Sequence, residues 1–118
     1  MNGQWERYSR QMLFSPIGEA GQQKLLQKSV LIVGVGALGT VIANHLVRAG
    51  IGHVSLADRD YVEQSNLQRQ MLFDEADVEQ TLPKAVAAER KLRKINSDVH
   101  VEGHTVDVTK GNIEQLLD

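Results

Sequence analysis

The sequence predicts an α/β fold, the N-terminal half of a doubly wound parallel sheet preceded by a helical arm. Three observations carry this: the run "SVLIVGVG" from Ser29, the helical spacing of "ALGTVIANHLVRA" behind it, and the second apolar run "HVSLAD" after that. A continuous β-branched run that ends in glycines suits a strand buried on both faces, as parallel strands are. In the segment behind it, Leu38, Val41, Ile42, Leu46 and Val47 recur at helical spacing, and Gly50 stands where a C-terminal helix glycine belongs. Strand, glycine turn, helix and strand make a βαβ unit.

The remaining elements follow in order. "WERYSRQMLFS", residues 5–15, is an arm or short helix that Pro16 and Gly18 interrupt. "GEAGQQKLLQK", 18–28, sets Ala20, Leu25 and Leu26 at partly helical spacing and predicts a short amphipathic helix. After the second strand, "FDEADVEQTLP" reads as an acidic surface loop with room for one helical turn, ended by Pro83. "KAVAAERKLRKIN", 84–96, is rich in helix formers, with Val86, Leu92 and Ile95 on its apolar side. "VHVEGHTVDV" alternates Val99, Val101 and, beyond Gly103, Val106 and Val108, as a third strand; "GNIEQLLD" begins a last helix. The expected division is an arm and helix over 1–28 and a partial nucleotide-binding domain over 29–118, its strands ordered 3-2-1.

Composition narrows the function. At 118 residues the chain is one domain. Thirteen basic against fifteen acidic residues leave a net charge of −2, so no global field draws nucleic acid or an anionic membrane, and any anion site must be local. The absence of cysteine removes disulfides, thiolate zinc sites and a cysteine nucleophile from this chain. No stretch approaches the roughly 20 apolar residues that span a bilayer, and the start has no secretory leader pattern, so a soluble cytoplasmic protein is expected.

Gly34, Gly36 and Gly39 spell "GVGALG", a G-x-G-x-x-G placed after a strand and opening a helix. Gly34 permits the turn, Gly36 lets the backbone approach a phosphate, and Gly39 allows close helix-to-strand packing; helix N-terminal N–H groups favour an anion. A glycine turn needed only for packing is the alternative. Asp58, about 20 residues on, ends the second strand where an acid accepts hydrogen bonds from a ribose. This pattern points to a nucleotide without naming it, and Arg59 beside Asp58 is compatible with the 2′-phosphate of NADP.

"SNLQRQ", Ser65 to Gln70, separates the two readings. A helical turn would bring Asn66 and Arg69 to one face, Arg offering a fixed fork of donors for phosphate oxygens and Asn an amide for a hydroxyl or a chain oxygen. A triphosphate needs such charge along its length; a solvated polar turn is the bland alternative.

Together "RYSRQ", "VLIVGVGALG", "DRDYVEQSNLQRQ" and Pro83-Lys84 resemble the ThiF/MoeB family, relatives of the ubiquitin-activating enzymes, from about Glu6 to the end of the chain. The resemblance implies an ATP- and Mg²⁺-dependent adenylyltransferase that activates the C-terminal glycine of a ubiquitin-like sulfur-carrier protein in thiamine or molybdopterin synthesis and releases pyrophosphate. It implies that Gly34, Gly36, Ala37 and Gly39 cradle the nucleotide and that Asp58 holds the ribose. Asn66, Arg69, Gln70 and Lys84 would surround the phosphates, and Arg10 would reach the ATP site of the other subunit of a homodimer. A non-catalytic subunit that binds a ubiquitin-like protein and an NAD(P)-dependent oxidoreductase are the alternatives. Asp60 is left open between a Mg²⁺ ligand and a loop cap. His100 and His104 are expected to be ordinary strand histidines, their shared face in doubt because Gly103 could bulge.

The sequence departs from the family pattern in three places. Ala37 stands where glycine is frequent, and "EQTLPK" is longer than the usual connection, which leaves the placement of Lys84 open. The chain also lacks the later strands, the Mg²⁺-binding aspartate, the cysteine loop and the four-cysteine zinc site of family members. It is therefore expected to be the N-terminal part of a longer enzyme, whose first strand leaves an edge to pair with a second copy.

Overall fold

The protein is described by a computed structural model that covers residues 3–12, 18–68, 70 and 72–117. A 3-10 helix, Gly3–Tyr8, runs into α1 (Ser9–Met12), followed by α2 (Gly18–Leu26), β1 (Ser29–Val33), α3 (Ala37–Ala49) and β2 (His53–Ala57). A 3-10 turn at Gln64–Asn66 leads to α4 (Glu75–Glu79), α5 (Lys84–Ile95), β3 (His100–His104) and α6 (Ile113–Leu117). The strands form one parallel sheet in the order β1-β2-β3, as the βαβ pattern predicts.

Parallel register sets Ile32 beside Leu56 and Val54 beside Val101 on one face. Ala43 and Val47 of α3 and Ala88 and Leu92 of α5 are buried with these residues in one core. Each such Val or Leu side chain contributes about 1.5–3 kcal/mol by leaving water.

Three details differ from the sequence reading. On α5 the core contact is made by Ala87, Ala88 and Leu92, with Ile95 packed half-buried against them as expected, while Val86 is half-buried outside this cluster; small residues let this helix approach the sheet closely. On α3 the buried positions are Thr40, Ala43, Asn44 and Val47, and Leu38 is 73% exposed, because this helix is apolar on two sides and the sheet covers one. Finally, β3 stops at His104, where the N–H of Val106 turns back onto the His104 carbonyl at 3.0 Å, so Val106 and Val108 lie beyond the strand. Gly103 does not bulge: pairing runs unbroken through Gly103 to His104. A Cβ at Gly103 would stand 2.2 Å from the Ala85 carbonyl oxygen, so this glycine serves the close approach of α5.

The arm docks at the C-terminal end of α3. Tyr8 is buried, its hydroxyl donating to Asp98 at 3.1 Å and accepting from the Asn96 amide at 2.9 Å. The same Asn96 amide donates to the Val47 carbonyl at 2.9 Å, and Arg7 donates to the Asn96 oxygen. The Gln22 and Gln11 amides both donate to the Ala49 carbonyl, at 3.0 and 2.8 Å. Buried polar groups satisfied in this way define one docking position for the arm.

The acidic loop contains the anticipated helical turn, α4. Asp74 and Asp77 cap it reciprocally, each carboxylate accepting the other's backbone N–H, at 2.9 and 3.1 Å. Lys91 of α5 ties this turn down by donating to Asp74 at 2.6 Å, Asp77 at 3.0 Å and the Leu72 carbonyl at 3.1 Å. The Lys91 hydrogen bond holds the Asp74 carboxyl below its ordinary range. A lowered carboxyl pKa stabilises the fold above the unfolded value and loses that contribution as pH falls through the folded one. Lys91→Met is therefore expected to cost about 1–2 kcal/mol near neutral pH in urea unfolding. The gap to the parent should narrow below about pH 4, where aspartate protonates; a pH-independent gap would contradict the assignment.

Candidate nucleotide-binding site

The C-terminal ends of β1 and β2 open onto the glycine loop. The Gly34 N–H donates to the Ala57 carbonyl at 2.8 Å, extending the ladder one residue past β1, and Gly34 then turns the chain at φ +89°, a left-handed conformation suited to glycine. Gly36 is the N-cap of α3, and no side chain caps this end. The helix thus presents N–H groups that a side chain has not claimed. A Cβ at Gly36 would meet nothing within 4 Å, whereas one at Gly39 would stand 2.1 Å from the Gly34 carbonyl oxygen. The glycines are divided accordingly: Gly36 keeps the cradle open and Gly39 lets helix and loop pack. Ala37, half-buried, begins α3 directly behind this opening.

Asp58 follows β2 and is locked into the loop. One carboxylate oxygen accepts the Val35 N–H at 2.6 Å and the other accepts the Asp60 N–H at 2.7 Å. A carboxylate has about four acceptor positions, so capacity remains for hydroxyl donors. The Val35 contact was not legible in the sequence, because a backbone N–H carries no residue signature.

Lys84 is brought to the same end of the sheet by a small zipper. The Val62 N–H donates to the Leu82 carbonyl and the Lys84 N–H to the Asp60 carbonyl, both at 2.9 Å, around an antiparallel bridge between Tyr61 and Pro83. This bridge fixes the backbone of Lys84 beside Asp60. Lys84 is 8% exposed, and its ammonium has no hydrogen-bond or ion-pair partner among the described residues. Its stem is covered while the ammonium keeps solvent contact, which leaves the charge available to an anion.

Gln70 is buried, and its side-chain Oε1 is enclosed with no hydrogen-bond partner among the described residues. Native proteins seldom leave such an atom unpaired without a ligand or water to meet it. Asn66, also buried, spends its Oδ1 on the Glu63 N–H at 2.8 Å in a capping box, leaving its amide N–H donors for other acceptors. Arg69 lies outside the described residues.

The other residues weighed in the sequence are placed differently. Arg10 is exposed on α1, whose neighbour Gln11 is bonded to Ala49 at the far end of α3. That helix, Ala37–Ala49, is about 20 Å long at 1.5 Å per residue, so Arg10 does not meet the glycine loop of its own chain. Asp60 is exposed, and its backbone joins Asp58 to Lys84. Arg59 pairs with Asp107 at 3.4 Å, which gives it a partner other than a 2′-phosphate.

A profile of the ThiF family matches residues 8–118. The chain belongs to the ThiF family. Among curated relatives, the sulfur carrier protein ThiS adenylyltransferase of Bacillus subtilis (strain 168) is 61% identical over 111 residues, which is 94% of this chain and 33% of that protein. The chain thus spans about a third of the length of that ThiF-family relative. Among solved structures, PaaA superposes with a TM-score of 0.88 at 36% identity, over 99% of this chain and 39% of that one. The E. coli tRNA N6-threonylcarbamoyladenosine dehydratase TcdA, solved in complex with ATP, superposes with a TM-score of 0.85 at 27% identity, over 99% of this chain and 46% of that one. The α/β architecture of this ThiF-family chain is shared with both.

Proposed function

We propose that this chain forms the nucleotide-binding part of an ATP-dependent adenylyltransferase acting on the C-terminal glycine of a ubiquitin-like sulfur-carrier protein, in thiamine or molybdopterin synthesis. The observation that carries the reading is Lys84, a largely buried lysine whose ammonium has no partner among the described residues, near the strand end that bears Asp58 and the glycine loop. An anionic ligand there would compensate a cation that the fold leaves uncompensated. The unpaired Gln70 Oε1 and the open space over Gly36 supply room and a further polar contact.

In this reading Asp58 accepts the ribose hydroxyls and the α3 N-terminus faces phosphate oxygens. Lys84 and Arg69 neutralise the charge that grows as the carrier carboxylate bonds to the α-phosphorus and the bond to the β-phosphate breaks. Pyrophosphate leaves with the electron pair of that bond. Asp60 is the residue on this loop that would hold Mg²⁺, which would supply positive charge to the phosphates; the described residues gather no group of three metal-binding side chains at the loop. Arg10, remote from its own loop, fits a role at the site of a second subunit.

Pyrophosphate exchange into ATP, measured with a carrier ending in Gly-Gly on the protein extended to the length of its relatives, tests the activity. Exchange that disappears in Arg69→Ala supports it. Nucleotide binding without exchange would favour a non-catalytic binding subunit, and tighter binding of NADP than ATP would favour an oxidoreductase. The 118-residue chain alone is expected to exchange weakly or not at all. No helix among the described residues is long and apolar enough to cross a membrane.

Homodimerisation is part of the same proposal. β1 is the edge of the sheet, and Val33 at its end is 60% exposed. An apolar edge of this kind favours pairing with a second copy. Sedimentation of the chain at micromolar concentration should show a dimer, and a stable monomer would overturn it.

A further inference from the structure

The sheet face turned away from the core carries a cluster that the nucleotide reading does not use. Parallel register sets His53 beside His100, Ser55 beside Glu102 and Ala57 beside His104. The alternate residues Val54, Leu56 and Val101 are fully buried in the core, which puts this histidine-rich row on the opposite face. On that face His100 Nε2 lies 2.8 Å from Glu102 Oε1, and His53 Nε2 lies 3.6 Å from Glu102 Oε2. One donor atom from each of His53, His100 and Glu102 falls within 4.8 Å of the others. The two imidazole rings meet edge to face, with centroids 4.9 Å apart.

We infer that His53, His100 and Glu102 form a binding site for a divalent transition-metal ion of the zinc class. Imidazole and carboxylate are the donors that such ions take, and zinc bonds of about 2.0–2.2 Å place neighbouring donors roughly 3.4 Å apart in a tetrahedron. The observed separations need only side-chain rotations to reach that spacing, because the strand backbones already hold the three residues side by side. One carboxylate and two neutral imidazoles leave open positions for water or a further donor. His104, whose Nε2 is 3.6 Å from Glu102 Oε2, can help orient the carboxylate. The His53–His100 pair sits at the N-terminal ends of β2 and β3, whereas the glycine loop opens at the C-terminal ends of the strands, so an ion here would pin two strands together away from the nucleotide.

Titration of the tag-free 118-residue chain with Zn²⁺, followed by isothermal calorimetry and thermal unfolding, tests this. One equivalent is expected to bind and to raise Tm. His53→Ala and Glu102→Gln should each weaken binding at least tenfold, and His45→Ala, an exposed histidine on α3, should not change it. In the unmodified chain, Zn²⁺ should shift the ring-proton NMR signals of His53 and His100 and leave that of His45 in place, a readout that needs no variant to fold. Absence of stoichiometric binding by the folded chain would overturn the site. So would affinity unchanged within twofold in both variants, or signals that shift only at His45.

Discussion

Replacing Lys84 by methionine is expected to lower carrier-dependent pyrophosphate exchange by on the order of 10²-fold, the size of losing one preorganised charge-stabilising donor, while leaving the fold as stable as before or more so. The two halves of this result come from one observation. The Lys84 side chain is largely buried and its ammonium has no partner among the described residues, so methionine, of similar length, would keep the buried stem and remove only an unpaired charge. A lysine held for packing would behave in the opposite way: its loss would reduce stability and leave exchange intact. Thermal unfolding and exchange measured on the same preparations separate the two. Raised stability with unchanged exchange would remove Lys84 from the site and weaken the adenylation reading with it.

The second large effect is a contrast between two glycines three residues apart in the chain. Gly36→Ala should change stability by no more than about 1 kcal/mol, since its backbone is extended and its Cβ would enter open space. It should nevertheless weaken ATP binding at least tenfold, because the methyl group fills the path by which phosphate approaches the helix N-terminus. Gly39→Ala should do the reverse. Its Cβ would stand 2.1 Å from the Gly34 carbonyl oxygen, a contact that backbone must move to relieve, and overpacking of this kind costs about 1–3 kcal/mol or more. Urea unfolding with nucleotide titration gives both readings. Equal loss of stability in the two variants would mean that the whole loop is a packing device.

Much of this was legible before the structure because it is local. The run from Ser29, the glycine turn and the helix to Ala49 are set by short-range periodicity and steric permission, and they came out with boundaries close to those predicted. Asp58 at the strand end followed from the same unit. Where the reading strayed, a tertiary neighbour decided. Leu38, Val41 and Ile42 have helical apolar spacing, yet the sheet covers the side bearing Ala43 and Val47. Val106 and Val108 keep strand alternation after the pairing has ended, because alternation shows that a segment can pair but not that a partner strand extends beside it.

By itself, then, the sequence determined the βαβ unit, the nucleotide-type glycine loop and the polar cluster behind β2, each written in residues near one another in the chain. Only the tertiary structure decided that Lys84 comes beside Asp60 through the zipper between Asp60–Val62 and Leu82–Lys84, that the Gln70 oxygen is buried without a partner among the described residues, and that His53 stands beside His100. Those three facts depend on which distant segments are neighbours and on what remains unpaired once they have met. Sheet register and packing settle both, and neither leaves a pattern within a single stretch of chain.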